Sequence, residues 1–331
     1  VDEDGRFSLH PLMLQFATEK LAAMGPARAA ALRRHAEVFA RSMAPWRDFD
    51  VIDVVPALAA IAPEIGNLQQ AWDTTIELRE LRWLADMAAA LGNHYQARGG
   101  LVQALPRFKR AEDLLVSRAS EAPEALCRVA LEFAALNFWL ADYQAVERSA
   151  QHALAAALAA RLPRAERQAL NALALAAMRQ GKTEQGADLL TRVLTSARRE
   201  GADREVAVFA GNLCGLLREL GESDRAESLA LEALQGHRRH GHAVGEVSVL
   251  NELALIAHQA GHFDSAYSRC AQALEVIERH AVMALRKPVM LTLQASIRLD
   301  QQRIDEALAL AEASLAEVNR VGARSHAPAL H

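Results

Sequence analysis

Along most of the chain the apolar residues recur at steps of three and four. The segments ALNALALAAMRQG (169–181) and VLNELALIAHQAG (249–261) carry this spacing, and neither alternates in the manner of a strand. Each therefore reads as an amphipathic helix that ends at its glycine. The same ending returns along the chain, at Gly99, Ala141, Gly181, Gly221, Gly261 and Gln302, with spacings of 42, 40, 40, 40 and 41 residues. A fixed period of this size marks a repeat protein, each unit being a helix, a turn and a second helix.

Small residues hold fixed places within the period. Five residues after the turns come Ala104, Val146, Gly186, Ala226, Ala266 and Ala307; twelve after come Ala111, Ala153, Val193, Ala233, Ala273 and Ser314. These are the places where two helices must touch. The next position is large and apolar in Leu154, Leu194, Leu234, Leu274 and Leu315, with Glu112 the exception. Pro123 and Pro163 stand 18 residues before Ala141 and Gly181, where proline suits a first helical turn, and Asp203 holds that register in the next unit as a cap-forming residue. Pro288 would fall inside the sixth unit's first helix and remove a hydrogen bond there, so that helix is expected to start late, at Arg286 to Pro288. Helices of roughly 17 residues form rods of about 25 Å. One pair cannot bury its apolar face alone, so the pairs must stack.

A turn residue, a hydrophobic residue two later (Leu101, Tyr143, Phe263, Ile304) and small residues five and twelve later resemble the tetratricopeptide repeat (TPR). Thr183 and Ser223 depart at the aromatic position, and the period exceeds the family's by about six residues, which longer helices absorb. HEAT-type pairs share the longer period; the small-residue register favours TPR. The resemblance implies an all-α fold: a right-handed α-solenoid of about six extended TPR pairs over residues 79–320, followed by a tail at 321–331.

Residues 1–78 lie outside the repeat. A strand-like RFSLH (6–10) runs into an amphipathic helix, an RRHAEVFA helix (33–40) follows, and Glu64, Asn67, Leu68 and Ala71 form an E-x-x-N-L-x-x-A segment that leads into the repeats. This order of segments resembles bacterial STAND-type regulatory ATPases, in which an ATPase module is followed by a winged helix, a helical linker and a TPR sensor. The resemblance implies that residues 1–24 end a winged-helix domain and that 25–78 form the linker. It sets Leu9-His10-Pro11 at the family's Met-His-Asp motif. Only His10 carries over, as a contact to the ADP phosphate in the intact parent; proline replaces the aspartate. ATP or ADP is implied for an upstream nucleotide-binding domain of the same chain, and no cofactor for these residues themselves. A first residue of valine rather than methionine suits a piece of a longer protein.

Composition narrows the classes further. The 331 residues are 51% hydrophobic, too apolar for disorder, yet hold no 18-residue uncharged apolar run, and the start is acidic. A cytoplasmic chain with no membrane contact is expected. Residues 1–78 carry 7 Lys+Arg against 11 Asp+Glu and so account for the whole net charge of -4; no basic face points to direct nucleic-acid binding. Only four of the basic residues are lysine and alanine is abundant, as in GC-rich bacterial genomes. Cys127, Cys214 and Cys270 are widely spaced and odd in number, which implies burial rather than a disulfide frame or zinc site.

The remaining motifs do not support catalysis. Gly181-Lys182-Thr183 imitates the end of a phosphate-binding loop, but Ala176 stands where its first glycine belongs and the segment joins two helices. His237, His240 and His242 crowd together with no carboxylate or cysteine at ligand spacing, and read as a solvated turn. Binding is better served. Asn171 and Asn251 stand ten residues before their turn glycines and Asn212 nine before its own, so their amides can either grip an extended peptide on the concave wall or bond within the stack. Arg179, Arg218 and His258, two or three residues before the same glycines, would add charge at the groove's edge or end as solvated helix termini. The expected activity is recognition of a protein, peptide or small inducer, relayed in the STAND reading to the upstream nucleotide switch and a transcriptional or other output. A free-standing scaffold for protein assembly is the alternative.

Overall fold

The computed structural model describes residues 11–47, 54–280 and 286–326, and these contain helices and turns but no strand. His10 and the RFSLH segment lie outside the described residues. The chain opens with α1 (Pro11–Ala22), α2 (Pro26–Met43), α3 (Val54–Ile61) and α4 (Ile65–Leu78). Six hairpins follow: α5 (Leu81–Arg98) with α6 (Leu101–Val116), α7 (Pro123–Trp139) with α8 (Tyr143–Ala160), α9 (Pro163–Arg179) with α10 (Thr183–Arg199), α11 (Asp203–Glu219) with α12 (Ser223–Arg239), α13 (Ala243–Gln259) with α14 (Phe263–His280), and α15 (Arg286–Asp300) with α16 (Ile304–His326). The described chain is an all-α solenoid of TPR-like pairs.

The turns sit where the period puts them. Gly99, Ala141, Gly181, Gly221, Gly261 and Gln302 all have a positive φ, between 59° and 88°. In five of the six, this residue closes a paired cap: the Gly181 N–H reaches the Met178 carbonyl at 3.0 Å and the Lys182 N–H the Ala177 carbonyl at 2.9 Å, satisfying carbonyls that the helix end leaves open. Arg161, Gly201 and Gly241 repeat the same cap between hairpins, 20 residues out of phase. The unit is thus a helix-and-cap module used twice. Pro288 is the third described residue of α15; residues 281–285, on which the expected late start of this helix depends, lie outside the described residues.

All twelve small positions are buried, Ala307 and Ser314 of the last unit being the most open at 8% and 7%. Gly186 shows how tight the contact is. A Cβ there would lie 2.7 Å from the Ala174 carbonyl oxygen and 2.8 Å from Leu216 Cδ2, so α10 crosses α9 at backbone distance and receives a leucine side chain of α11. The leucine after the second small residue is buried at Leu194 and Leu234, but Leu315 is 61% exposed because no unit stacks on α16 among the described residues. Glu112, the polar exception, is buried 3.2 Å from His152 Nδ1 on the next unit's second helix.

Successive first helices also touch one another directly, α5 on α7, α7 on α9 and α11 on α13, which puts them on the inside of the curve. At the front, α2 packs on α4 and α5. Trp72 of α4 is fully buried, its ring 4.9 Å from that of Phe108, and donates to the Arg107 carbonyl. Between units three and four, Arg167 is buried and binds Glu205 at 2.5 Å and Glu200 at 2.6 Å.

One expectation is corrected here. His237 is not part of a solvated turn: it is 4% exposed in the last turn of α12, in space left by Gly245, with its Nδ1 3.1 Å from that of His242. Burial, aided by its neighbours His242 and His240, pushes its pKa down to about 3 from 6.5. Protons then bind the unfolded chain in preference to the folded one, so stability falls as pH drops below about 6.5, by at most about 1.4 kcal/mol per pH unit. Denaturant titrations between pH 7 and 5 are expected to show this slope, and His237→Gln to flatten it. Gly186→Val is expected to cost about 1–3 kcal/mol by forcing the helices apart, as is Ala266→Leu; unchanged midpoints would mean the contacts are looser than they stand.

Candidate functional site

The inner wall is built from one stripe per first helix. In α7 the stripe is Arg128, Glu132, Ala135 and Trp139, the first three half-buried and the last exposed. The matching stripe of α11 is Val208, Asn212, Gly215 and Glu219, and that of α13 is Ser248, Glu252, Leu255 and Gln259, with the same run of burial.

Asn171, Asn212 and Asn251 share this zone but not one position. Asn212 occupies the place that Glu252 holds in the next unit, while Asn171 and Asn251 stand one residue earlier, about 100° further around the helix. Asn212 Nδ2 donates to Asn171 Oδ1 at 2.7 Å, so a carboxamide link joins units three and four. Each of the three is half-buried.

The three basic residues join units too. Arg218 Nε donates to Glu252 Oε2 at 2.9 Å, with the arginine side chain only 14% exposed. His258 Nε2 lies 2.6 Å from Asp300 Oδ2. The Arg179 guanidinium rests over the Phe138 ring of the preceding unit, 5.6 Å from its centre. Trp139 Nε1 likewise donates to Gln96 Oε1 at 3.1 Å. Solvated helix ends therefore do not describe Arg218 or His258.

Sequence reasoning missed two members of this wall. Trp139 is 50% exposed at the inner end of α7, two residues before its turn, the register that Arg179 holds in the next unit; that match is the signal that would have found it. Arg286, from the start of the sixth unit, reaches back across the curve and lies over the Trp139 ring, 5.5 Å from its centre. No local pattern announces such a contact. Burial pulls the Arg286 pKa below its ordinary value, with Arg179 adding to the pull and Glu252 opposing it.

Other candidate chemistry is absent from the wall. Among the described residues no group of three or more His, Cys, Asp or Glu is placed to hold a metal ion. The three cysteines are buried free thiols, pushed up to about 11 at Cys127 and about 12 at Cys270, so they stay protonated at neutral pH. The N–H groups of Gly181 and Lys182 are spent on the α9 cap and cannot cradle a phosphate. No described helix is long and apolar enough to cross a membrane.

Arg218→Ala is expected to lower stability by about 1–3 kcal/mol, because it strands the half-buried Glu252 carboxylate. Adding Glu252→Ala should cost less than the sum of the two single changes. A strictly additive double variant in denaturant melts would mean the pair contributes nothing.

The chain matches no protein-family model and no curated protein sequence. Solved structures do resemble it. Aspartyl phosphate phosphatase F from Bacillus subtilis aligns at 11% identity with a TM-score of 0.61, over 99% of this chain and 78% of that one. A STAND protein with a tetratricopeptide repeat sensor from Pyrococcus horikoshii aligns at 14% identity and TM-score 0.55, over 80% of this chain and 41% of that one. A Rap protein complexed with competence and sporulation factor aligns at 13% identity and TM-score 0.53, over 78% and 87% of the two chains. At these identities the likeness establishes the fold alone.

Proposed function

We propose that this chain is the sensor of a bacterial STAND-type regulatory ATPase. Its inner wall binds a peptide or protein, or a small inducer, and relays occupancy to a nucleotide switch upstream in the same polypeptide. The observation that carries the reading is the wall itself: first helices stacked edge to edge with amides, carboxylates, arginines and an exposed tryptophan on a curve that brings unit six back to unit two. Two likenesses support it. The Pyrococcus protein carries a TPR sensor in a STAND chain, and the Rap protein is complexed with competence and sporulation factor.

In this reading residues 1–24 finish a winged helix, and His10 contacts the ADP phosphate in the intact parent and helps hold the resting state. The repeats supply no nucleotide contact of their own. Recognition proceeds by local hydrogen bonds and apolar contact rather than by bulk electrostatic attraction, because the repeat region is balanced in charge.

A heptapeptide library passed over the chain tests the reading. Bound peptides are expected, and replacing Asn212 and Asn251 together by alanine should weaken their binding at least tenfold, roughly 1.4 kcal/mol, with an unchanged circular-dichroism spectrum. Failure to retain any peptide would remove the peptide reading. The chain alone is expected to bind no ATP at micromolar concentration, whereas His10→Ala in the intact parent should raise basal output.

A further inference from the structure

The inner wall has one corner where chemistry from distant units converges. The last turn of α7 offers two adjacent rings, Phe138 and Trp139. Arg179 of unit three lies over the first at 5.6 Å, and Arg286 of unit six lies over the second at 5.5 Å. Two cations of the same sign are thus brought to neighbouring rings of one helical turn. The carboxylate that acts on Arg286 most directly, Glu252, is already held by Arg218 at 2.9 Å. A guanidinium held over a ring through its charge does not spend its N–H groups on that contact, so they remain to be offered to an acceptor. A carboxylate matches that fork with two parallel hydrogen bonds, and it relieves the repulsion between the two arginines.

We propose that Arg179 and Arg286, seated on Phe138 and Trp139, form a subsite for a carboxylate of the bound peptide, either an Asp or Glu side chain or the free C-terminus. The inference rests on the peptide-binding reading above and adds the chemistry that selects the ligand. It also has a mechanical side. The carboxylate would tie together units two, three and six, which are remote in sequence, so occupancy of the subsite fixes how tightly the solenoid curls.

A synthetic heptapeptide library in two forms, free acid and C-terminal amide, provides the test. Each form is passed over the chain and the retained peptides are sequenced by mass spectrometry. Enrichment of Asp or Glu at one position in both forms identifies a side-chain carboxylate; enrichment of the free-acid form alone identifies the C-terminus. Arg286→Gln and Arg179→Gln should each cut retention of the carboxylate-bearing peptides at least tenfold, with Arg286→Lys recovering part of it. Binding should shift the Trp139 emission, and that shift should vanish in Trp139→Phe. Retained peptides without enriched carboxylates, or equal retention by Arg286→Gln, overturn the subsite while leaving peptide binding intact. An empty column with both forms overturns both. Should Arg286→Gln unfold, as read by circular dichroism, Arg179→Gln at the exposed end of α9 decides the matter.

Discussion

Two helices of the same hairpin, and each helix with the unit behind it, meet at residues with almost no side chain. That close approach is the constraint on which everything else depends. At Gly186 the neighbouring carbonyl oxygen stands only 2.7 Å from where a Cβ would be, and Ala226, Ala233, Ala266 and Ala273 are fully buried in the equivalent places. Because the interior is close-packed, one extra methylene at such a crossing has nowhere to go. Fixing these distances fixes the crossing of each pair, and repeating the same crossing fixes the curve.

The curve then assigns roles to polar residues. A lone hairpin would leave Arg218, Glu252, Asn171, Asn212 and His258 in water. Stacked, they face the neighbouring unit at hydrogen-bonding distance and join the wall laterally. The inner surface is consequently stiffened by the same groups that make it polar. A ligand that binds there competes with, or adds to, contacts that already define the spacing of units. This is the physical basis on which a solenoid can convert binding into a change of shape.

The two ends of the array differ. At the front, α2 and α4 cover the first hairpin, with Trp72 and Phe108 packed ring to ring. At the back, Leu315, Leu308 and Ile304 of α16 are exposed, although the leucines matching Leu315 in earlier units are buried or half-buried. α1 also presents Leu12, Met13 and Phe16 on its surface. The internal units bury their stacking faces; the last described one does not.

Local periodicity determined the architecture. The 40-residue repeat placed all six positive-φ turns and its small residues marked buried helix contacts in every unit, because backbone geometry and short-range packing are written within a few turns of chain. The second cap series at Arg161, Gly201 and Gly241 was equally local, but hidden by counting whole units instead of half-units. The site was only partly legible. The asparagines and the basic helix ends were visible as a zone, yet which of them bond to one another depends on the rotation of one helix against the next, as the one-residue offset between Asn171 and Asn212 shows. The burial of His237 needed the space left by Gly245 on the following helix. The meeting of Arg286 with Trp139, 147 positions apart, belongs to tertiary structure alone, since it exists only after four stacked interfaces, from unit two to unit six, have added their small rotations into a curve.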